Sequence, residues 1–415
     1  MNELKTPTFF SKLVTHMLLL YPILNTYALI GSFSIGRSIL MTLVVLFIFR
    51  VFTKGQKPLK SSPKYFNIYC TFWICSAIIS VGFIGFSVFG ALPGIIYSFL
   101  FVLLFFYETD LDYLIRWYKY YAIAFIGFLF VQESMYVSTG IRIPGIIPGL
   151  PLTVDKLVGS ERYMEQVIMG YRSSSVYSEP AHFAQWLLPF LSIELMYDKN
   201  NNHYIYAVAA LLSLLLLRSG NAMIGLAIVL LFFMGYLFIE KKTKMHFVQI
   251  MAFVAVLTIG GYYSLNSDIG ADVLDRQDEL HLNESSSDRM GQVRLFRGYY
   301  VFAEYSVLEQ LIGVSDIPKL LNYIKGSQVA FFFDDDETYF NAIQSVLLKT
   351  GYIGLVIFVI LCFSLSRNNT HAGKAIVFAF LALSFVAGLF FTTTMALYLV
   401  IPHKMKQIKG CTRFM

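Results

Sequence analysis

What most constrains this chain is a succession of apolar runs, each close to the length of a membrane crossing, separated by short polar breaks. A bilayer core ~30 Å thick asks for ~20 predominantly apolar residues per helical span. Runs of that kind lie near 13–31, 34–52, 65–86, 88–107, 118–138, 181–197, 204–217, 222–239, 247–265 and 341–364. The stretch 375–401 is long for one span and short for two, with Gly388 and Thr392, Thr393 and Thr394 near its middle. A broken or hairpin pair fits there, because non-helical backbone is tolerated at depth when buried in protein. Of the 415 residues, 57% are hydrophobic and only 14% charged, against ~25% charged in soluble domains. That excludes an ordinary soluble enzyme and a disordered chain. The expected fold is all-α: a polytopic integral membrane protein of about twelve transmembrane helices, or eleven if the last run is one span. Residues 1–415 form a single membrane domain, with no internal repeat and no soluble domain at either end. The first run lacks a small-residue cleavage site before the next span, so no cleaved leader is expected.

Lysines in short loops set the orientation. Lys54, Lys57, Lys60 and Lys64, then Lys241, Lys242 and Lys244, then Arg367 and Lys374, mark alternate breaks as cytoplasmic. The N-terminus (Lys5, Lys12) and the tail (His403, Lys404, Lys406, Lys409, Arg413) join them. A tail on the N-terminal side needs an even number of crossings, which favours twelve. The net charge of +6 is then the lysine excess of cytoplasmic loops, and nucleic acid is not an expected partner. Cys70, Cys75 and Cys362 fall in apolar runs and Cys411 in the tail, so no disulfide framework or cysteine metal site is indicated. Two long polar segments face the other side: extracytoplasmic loop one, 139–180, and extracytoplasmic loop two, 266–340. Their cations are mostly arginine: Arg142, Arg162, Arg172, Arg276, Arg289, Arg294 and Arg297, against Lys156, Lys319 and Lys325. Planar, always charged guanidinium suits bidentate grip on phosphate. Salt bridges to the acids of the same loops are the plainer explanation for any one of them.

Four places could carry chemistry. At the entry to the sixth run, Ser178 is a reasonable N-cap, Pro180 suits the first turn, and Glu179 sits at the positive helix end; Arg172 lies upstream and His182 just inside. A simple helix cap accounts for the same residues. In loop two, Arg289, Arg294 and Arg297 would share one broad face of a helix whose other face is apolar. That arrangement fits a lipid headgroup phosphate or a surface helix packed on the bundle. The acidic run Asp334, Asp335, Asp336 and Glu337 fits no calcium loop and is equally an acidic helix start, so no metal and no cofactor is expected. Arg218, before Ser219-Gly220-Asn221, marks a tight outer turn, with a snorkelling arginine as the simpler reading. Nucleotide loops, zinc-protease helices and serine-nucleophile elbows are absent from the sequence.

Four stretches, in this order, carry a resemblance. They are Arg-x-x-Ser-x-x-Ser-Glu-Pro-x-x-Phe-Ala from Arg172 to Ala184; Leu-x-Arg-Ser-Gly-Asn from Leu216 leading to Gly225; Asp288-Arg289 with Arg294 and Leu311-Ile312-Gly313; and Asn341 with Leu347, Gly351 and Gly354. On these, over about 170 to 360, and on span number, the chain resembles the O-antigen polymerase and O-antigen ligase superfamily of bacterial membrane glycosyltransferases. Ligases of that superfamily carry a His-Asn pair where this chain has Phe340-Asn341, which points to the polymerase. The resemblance implies a multi-pass protein of the bacterial cytoplasmic membrane with its site on the outer face. It implies undecaprenyl-diphosphate-linked oligosaccharide as substrate, an O-antigen or capsule polysaccharide as product, membrane lipid as surroundings and, where product length is controlled, a chain-length regulator protein as partner. A diphosphate is already a good leaving group, so fixed cations suffice to stabilise it. Arg172, with Arg289 or Arg294, would close on it, and Glu179 would orient or deprotonate the acceptor hydroxyl. Arg297, His182, Asn341 and Arg218 would line the substrate, and Tyr136, Tyr177, Phe183, Tyr299 and Tyr300 would stack on sugars. The competing expectations are a ligase acting on lipid A core and a flippase for the same lipid-linked unit.

Overall fold

A computed structural model describes residues 7–31, 33–84, 88–147, 149–153, 172–197, 204–240, 288–328, 330 and 340–412. The expected ninth span (247–265), the acidic run 334–337 and the tail beyond 412 lie outside them. Among the described residues the chain is helical, in order α1 (Phe9–Leu24), α2 (Ile35–Lys54), α3 (Lys64–Ile84), α4 (Val88–Glu108), α5 (Leu111–Thr139), α6 (Pro180–Met196), α7 (Tyr204–Leu216), α8 (Gly220–Glu240), α9 (Asp288–Ala303), α10 (Val307–Ile312), α11 (Ile317–Gly326), α12 (Ala342–Ser366), α13 (His371–Leu383) and α14 (Thr393–Thr412). Five described segments are long and apolar enough to cross a membrane: Ile35–Lys54, Ala91–Glu108, Leu111–Thr139, Gly220–Phe238 and Ala342–Ser366. The protein is mostly helical and membrane-embedded.

Long-range contacts sort the helix ends. Arg50 pairs with Glu108 at 3.2 Å, and Ser11 Oγ donates to the Glu108 carbonyl. His403 Nε2 lies 2.8 Å from the Ser61 carbonyl, Asn369 Nδ2 donates to the Pro402 carbonyl at 2.8 Å, and the Tyr236 and His371 rings are 5.2 Å apart. The start of α1, the 54–64 break, the ends of α4 and α8, the α12–α13 turn and the last turns of α14 therefore gather at one end, the lysine end. Arg172, Glu179, Arg218 and Asn341 belong to helix ends and loops at the opposite end, and Arg297, within α9, lies against Phe340 there.

Two features differ from expectation, and the last run breaks as one of its two readings had it. The first run does not stay helical to 31. Pro22 sits in its last turns and α1 stops at Leu24; Ala28–Ile30 (β1) then pairs antiparallel with Phe33–Ser34 (β2). Ser34 caps α2 and donates to Asn25 Oδ1 at 2.7 Å. The last run divides in two, α13 and α14, joined through 384–392. They are antiparallel: the Phe380 and Tyr398 rings lie 5.7 Å apart, and Thr370 meets Met405. At 1.5 Å per residue α13 is only ~20 Å long, and the exposed backbone of the break is met from outside, by Ala342 N–H to Ala387 O at 2.8 Å and Ile343 N–H to Ser384 O at 3.0 Å. The second difference is a kink in α12 at Gly351 (φ 64°, ψ −170°). There the segment 311–315 crosses α12 backbone to backbone. A Cβ on Gly313 (φ 81°) would strike the Lys349–Thr350 peptide, and one on Gly351 would strike the Leu311 carbonyl. The carbonyls left by the kink are taken by Val314 N–H (to Leu348, 2.7 Å) and Ser315 Oγ (to Lys349, 2.9 Å).

Candidate functional site

Residues 172–178 form a strap over the opposite end of α5. Ser175 takes a left-handed backbone (φ 55°), which turns the strap inward and buries Ser173, Ser174 and Ser175. Buried polar groups need partners, and α5 supplies them. Gln132 accepts from Ser175 N–H at 2.8 Å and donates to the Ser175 and Ile143 carbonyls at 3.1 Å each. Glu133 accepts from Ser173 Oγ at 2.6 Å. Ser175 Oγ reaches the Phe125 carbonyl at 2.7 Å, and Gly145 lies so close to Ser174, Ser175 and Tyr177 that a side chain has no room. Neither Gln132 nor Glu133 carries a local motif, and the only sequence signal was a polar pair inside an apolar run.

The charged residues stand at the ends of the strap. Arg172 is half-buried at its start, and Glu179 and His182 are exposed at its close. The N-cap of α6 is Glu179 itself, extended at φ −138° and ψ 146° and without a side-chain cap bond, not Ser178 as expected. Pro180 fixes the first helical turn as predicted. Ser178 Oγ instead lies 3.3 Å from His182 Nδ1. A carboxylate and an imidazole thus stand one turn apart at the mouth of α6, an arrangement able to orient a hydroxyl. Tyr177 and Phe183 are no sugar platform: both are buried in a stack with Trp186 and Phe125.

Beneath the strap lies an apolar cavity of about 510 Å³. Leu20, Ile23 and Leu24 of α1, Phe125 and Phe128 of α5, and Val176 of the strap line it, with Ile143, Pro144 and Ile147. Tyr27 closes it, its hydroxyl accepting from Ile147 N–H at 2.9 Å.

The second group belongs to α9 and α12. Arg289 and Arg294 lie on α9, and their side chains are outside the described residues. Arg297 is buried, its guanidinium 5.7 Å from the Phe340 ring centroid. Asn341 is buried as the N-cap of α12, accepting from Gln344 N–H at 2.8 Å, while Gln344 donates to the Leu295 carbonyl at 2.6 Å. Arg218 sits half-buried in the α7–α8 turn with φ 46°. The strap residues form one group and the Arg297–Phe340–Asn341 residues another, both at the opposite end. Sequence reasoning also passed over Lys349, whose ammonium lies 5.5 Å from the Phe390 ring centroid, and Lys119, paired with Glu194 at 3.4 Å. Comparisons with family models, with curated proteins and with solved structures find no match.

Proposed function

We propose that this protein is a membrane glycosyltransferase of the polymerase type, joining oligosaccharide repeat units carried on undecaprenyl diphosphate. One observation carries the reading: a cavity lined by hydrocarbon adjoins, through Val176, a strap with Arg172 at its start and the exposed Glu179 and His182 just past its close. A ligand that is a long hydrocarbon at one end and an anion with sugars at the other fits that order. In the proposed reaction an acceptor hydroxyl oxygen bonds to the anomeric carbon of the growing glycan. The bond from that carbon to the diphosphate oxygen breaks, its electron pair leaves with the diphosphate, and the hydroxyl proton passes to Glu179. Arg172, with Arg289 or Arg294 of α9, would stabilise the departing charge, since preorganised cations need no reorganisation as the bond breaks. Arg297 acts from behind, held over Phe340 where a ligase would carry its histidine. The site would then face the outer side of a bacterial cytoplasmic membrane.

Purified protein in detergent, supplied with lipid-linked repeat units, tests this directly, because transport has no meaning there. The wild type is expected to build a ladder of products. Arg172→Ala is expected to lose at least about a hundredfold in rate, on the scale of ~2.7–4 kcal/mol for one lost preorganised contact. Arg172→Lys should be nearly as poor if the grip is bidentate. A wild type that forms no polymer, or an Arg172→Ala protein that forms it normally, removes the proposal or the residue.

A further inference from the structure

The segment α9–α10–α11, expected as part of extracytoplasmic loop two, carries large apolar side chains on its outside. Val307 is 76% exposed, Ile317 50%, and Leu308 and Leu311 42% each. On α10, Val307, Leu308 and Leu311 sit at i, i+1 and i+4, one face of a helix. Of the segment's charged groups, Glu304 and Lys325 are exposed toward its two ends, while the acid of α10 turns the other way. Glu309 is buried, 2.8 Å from Lys319 Nζ, and it accepts from Ser306 and from the Tyr323 hydroxyl at 2.8 Å.

Two helices measure how deep this segment sits. Leu311 and Gly313 are fixed against Gly351 by the backbone crossing. From there α12 runs to Ser366, at the lysine end, where Lys406 reaches the Ser364 carbonyl. That is about 22 Å of helix at 1.5 Å per residue, short of the ~30 Å of a hydrocarbon core. The second ruler is α3. Trp73 stands roughly 14 Å along the helix from Lys64, and its indole N–H donates to Ser315 Oγ at 2.8 Å. With the lysine end at one edge of the core and both helices along the bilayer normal, the rulers bracket residues 311–315 between about the midplane and the far half of the core. The neighbouring face of α12 is lipid-directed, with Tyr352, Ile353 and Val356 exposed, and Tyr352 touches Phe302 of α9, ring centroids 5.1 Å apart.

We propose that α10 and the first turn of α11 are inserted in the bilayer leaflet at the opposite end, with Val307, Leu308, Leu311 and Ile317 packed against lipid acyl chains. The segment is a membrane-seated arm, continuous with the lipid face of α12. Apolar side chains at this depth face hydrocarbon, and the one acid of α10 is closed off with its lysine, as ionisable groups within a bilayer are. The inference does not depend on the proposed activity.

The test places one tryptophan at a time, Val307→Trp or Leu308→Trp, with Asn322→Trp on exposed α11 as the contrast. Each protein is reconstituted into phosphatidylcholine vesicles with and without bromine on the acyl chains, and the signal of the native Trp73, Trp117 and Trp186 is subtracted using wild type. The added signal at 307 and 308 is expected to lose most of its intensity in brominated lipid and to resist aqueous iodide, while position 322 does the reverse. Quenching of 307 and 308 by iodide, with no effect of brominated lipid, overturns the proposal. A nitroxide on Val307→Cys gives the same decision if a tryptophan variant does not fold: oxygen must broaden it more than a water-soluble nickel chelate, and the opposite order sinks the idea.

Discussion

The strap at 172–178 and the arm from α9 to α11 both cap the opposite end of the bundle, but they are fastened differently. Side chains hold the strap: Gln132 and Glu133 of α5 reach its backbone and a serine hydroxyl. Backbone holds the arm: two glycines cross with no room for a methyl group, and an N–H of the arm fills a carbonyl freed by the α12 kink. A side-chain stitch weakens by steps as bonds are removed. A backbone crossing tolerates no added atom, so it should fail as a unit.

The largest effect is expected at that crossing. Gly351→Ala puts a Cβ into the Leu311 carbonyl at a φ of 64°, combining overlap with left-handed strain. Losses above ~4 kcal/mol are exceptional and arise from mechanisms of this kind. Little monodisperse protein should survive size exclusion in detergent, and Gly313→Ala should behave alike. Gly127, on α5 with open space about it, supplies the contrast: Gly127→Ala should be neutral or slightly stabilising, as helix propensity dictates. Equal thermal midpoints for Gly351→Ala and Gly127→Ala would mean that the arm does not cross α12 as described.

The strap should respond in smaller steps. Gln132→Ala strands one N–H and two carbonyls, and a buried group left unmade costs about 1–3 kcal/mol. Some relief by water brings the expected total to roughly 3 kcal/mol. Ser173→Ala removes only one donor to Glu133 and should cost less. If Gln132→Ala proves milder than Ser173→Ala in thermal unfolding, the amide is not the main stitch.

The same contrast shows what the sequence made legible. Apolar runs, lysine breaks, Pro180 and the split of the last run were visible because each is a local signal: period, charge or a helix breaker. Gln132 and Ser175 are far apart in sequence, as are Gly313 and Gly351, and no periodicity links such partners. Gly351 reads as an ordinary glycine in an apolar helix until the chain that crosses it is known. Asn341 and Phe340 were legible as a motif but not by role; one caps α12, and the other lies under Arg297. The placement of Glu179 missed by one residue because an extended N-cap without a side-chain bond leaves no compositional mark.

The smallest effect is electrostatic and concerns how α10 is held to α11 inside the arm. Burial alone would raise the Glu309 carboxyl. Hydrogen bonds from Lys319, Ser306 and Tyr323 outweigh it and hold the group at about 2, while the Tyr323 hydroxyl is pushed up to about 12 by burial and by the same carboxylate. A carboxyl held below its unfolded value of ~4.3 stabilises the folded state fully at neutral pH, and that contribution fades as pH falls from the unfolded value toward about 2. Lys319 is 26% exposed, and its flexible stem lets the ammonium snorkel toward the headgroups once the pair is lost, while a glutamine still accepts from Ser306 and Tyr323, so Glu309→Gln should cost only about 1 kcal/mol at pH 7. The difference in thermal midpoint between wild type and Glu309→Gln should therefore stay constant from pH 7 to about 5 and close below ~4.3. A difference that persists to the acid limit would assign the loss to altered packing around α10 and not to the charge.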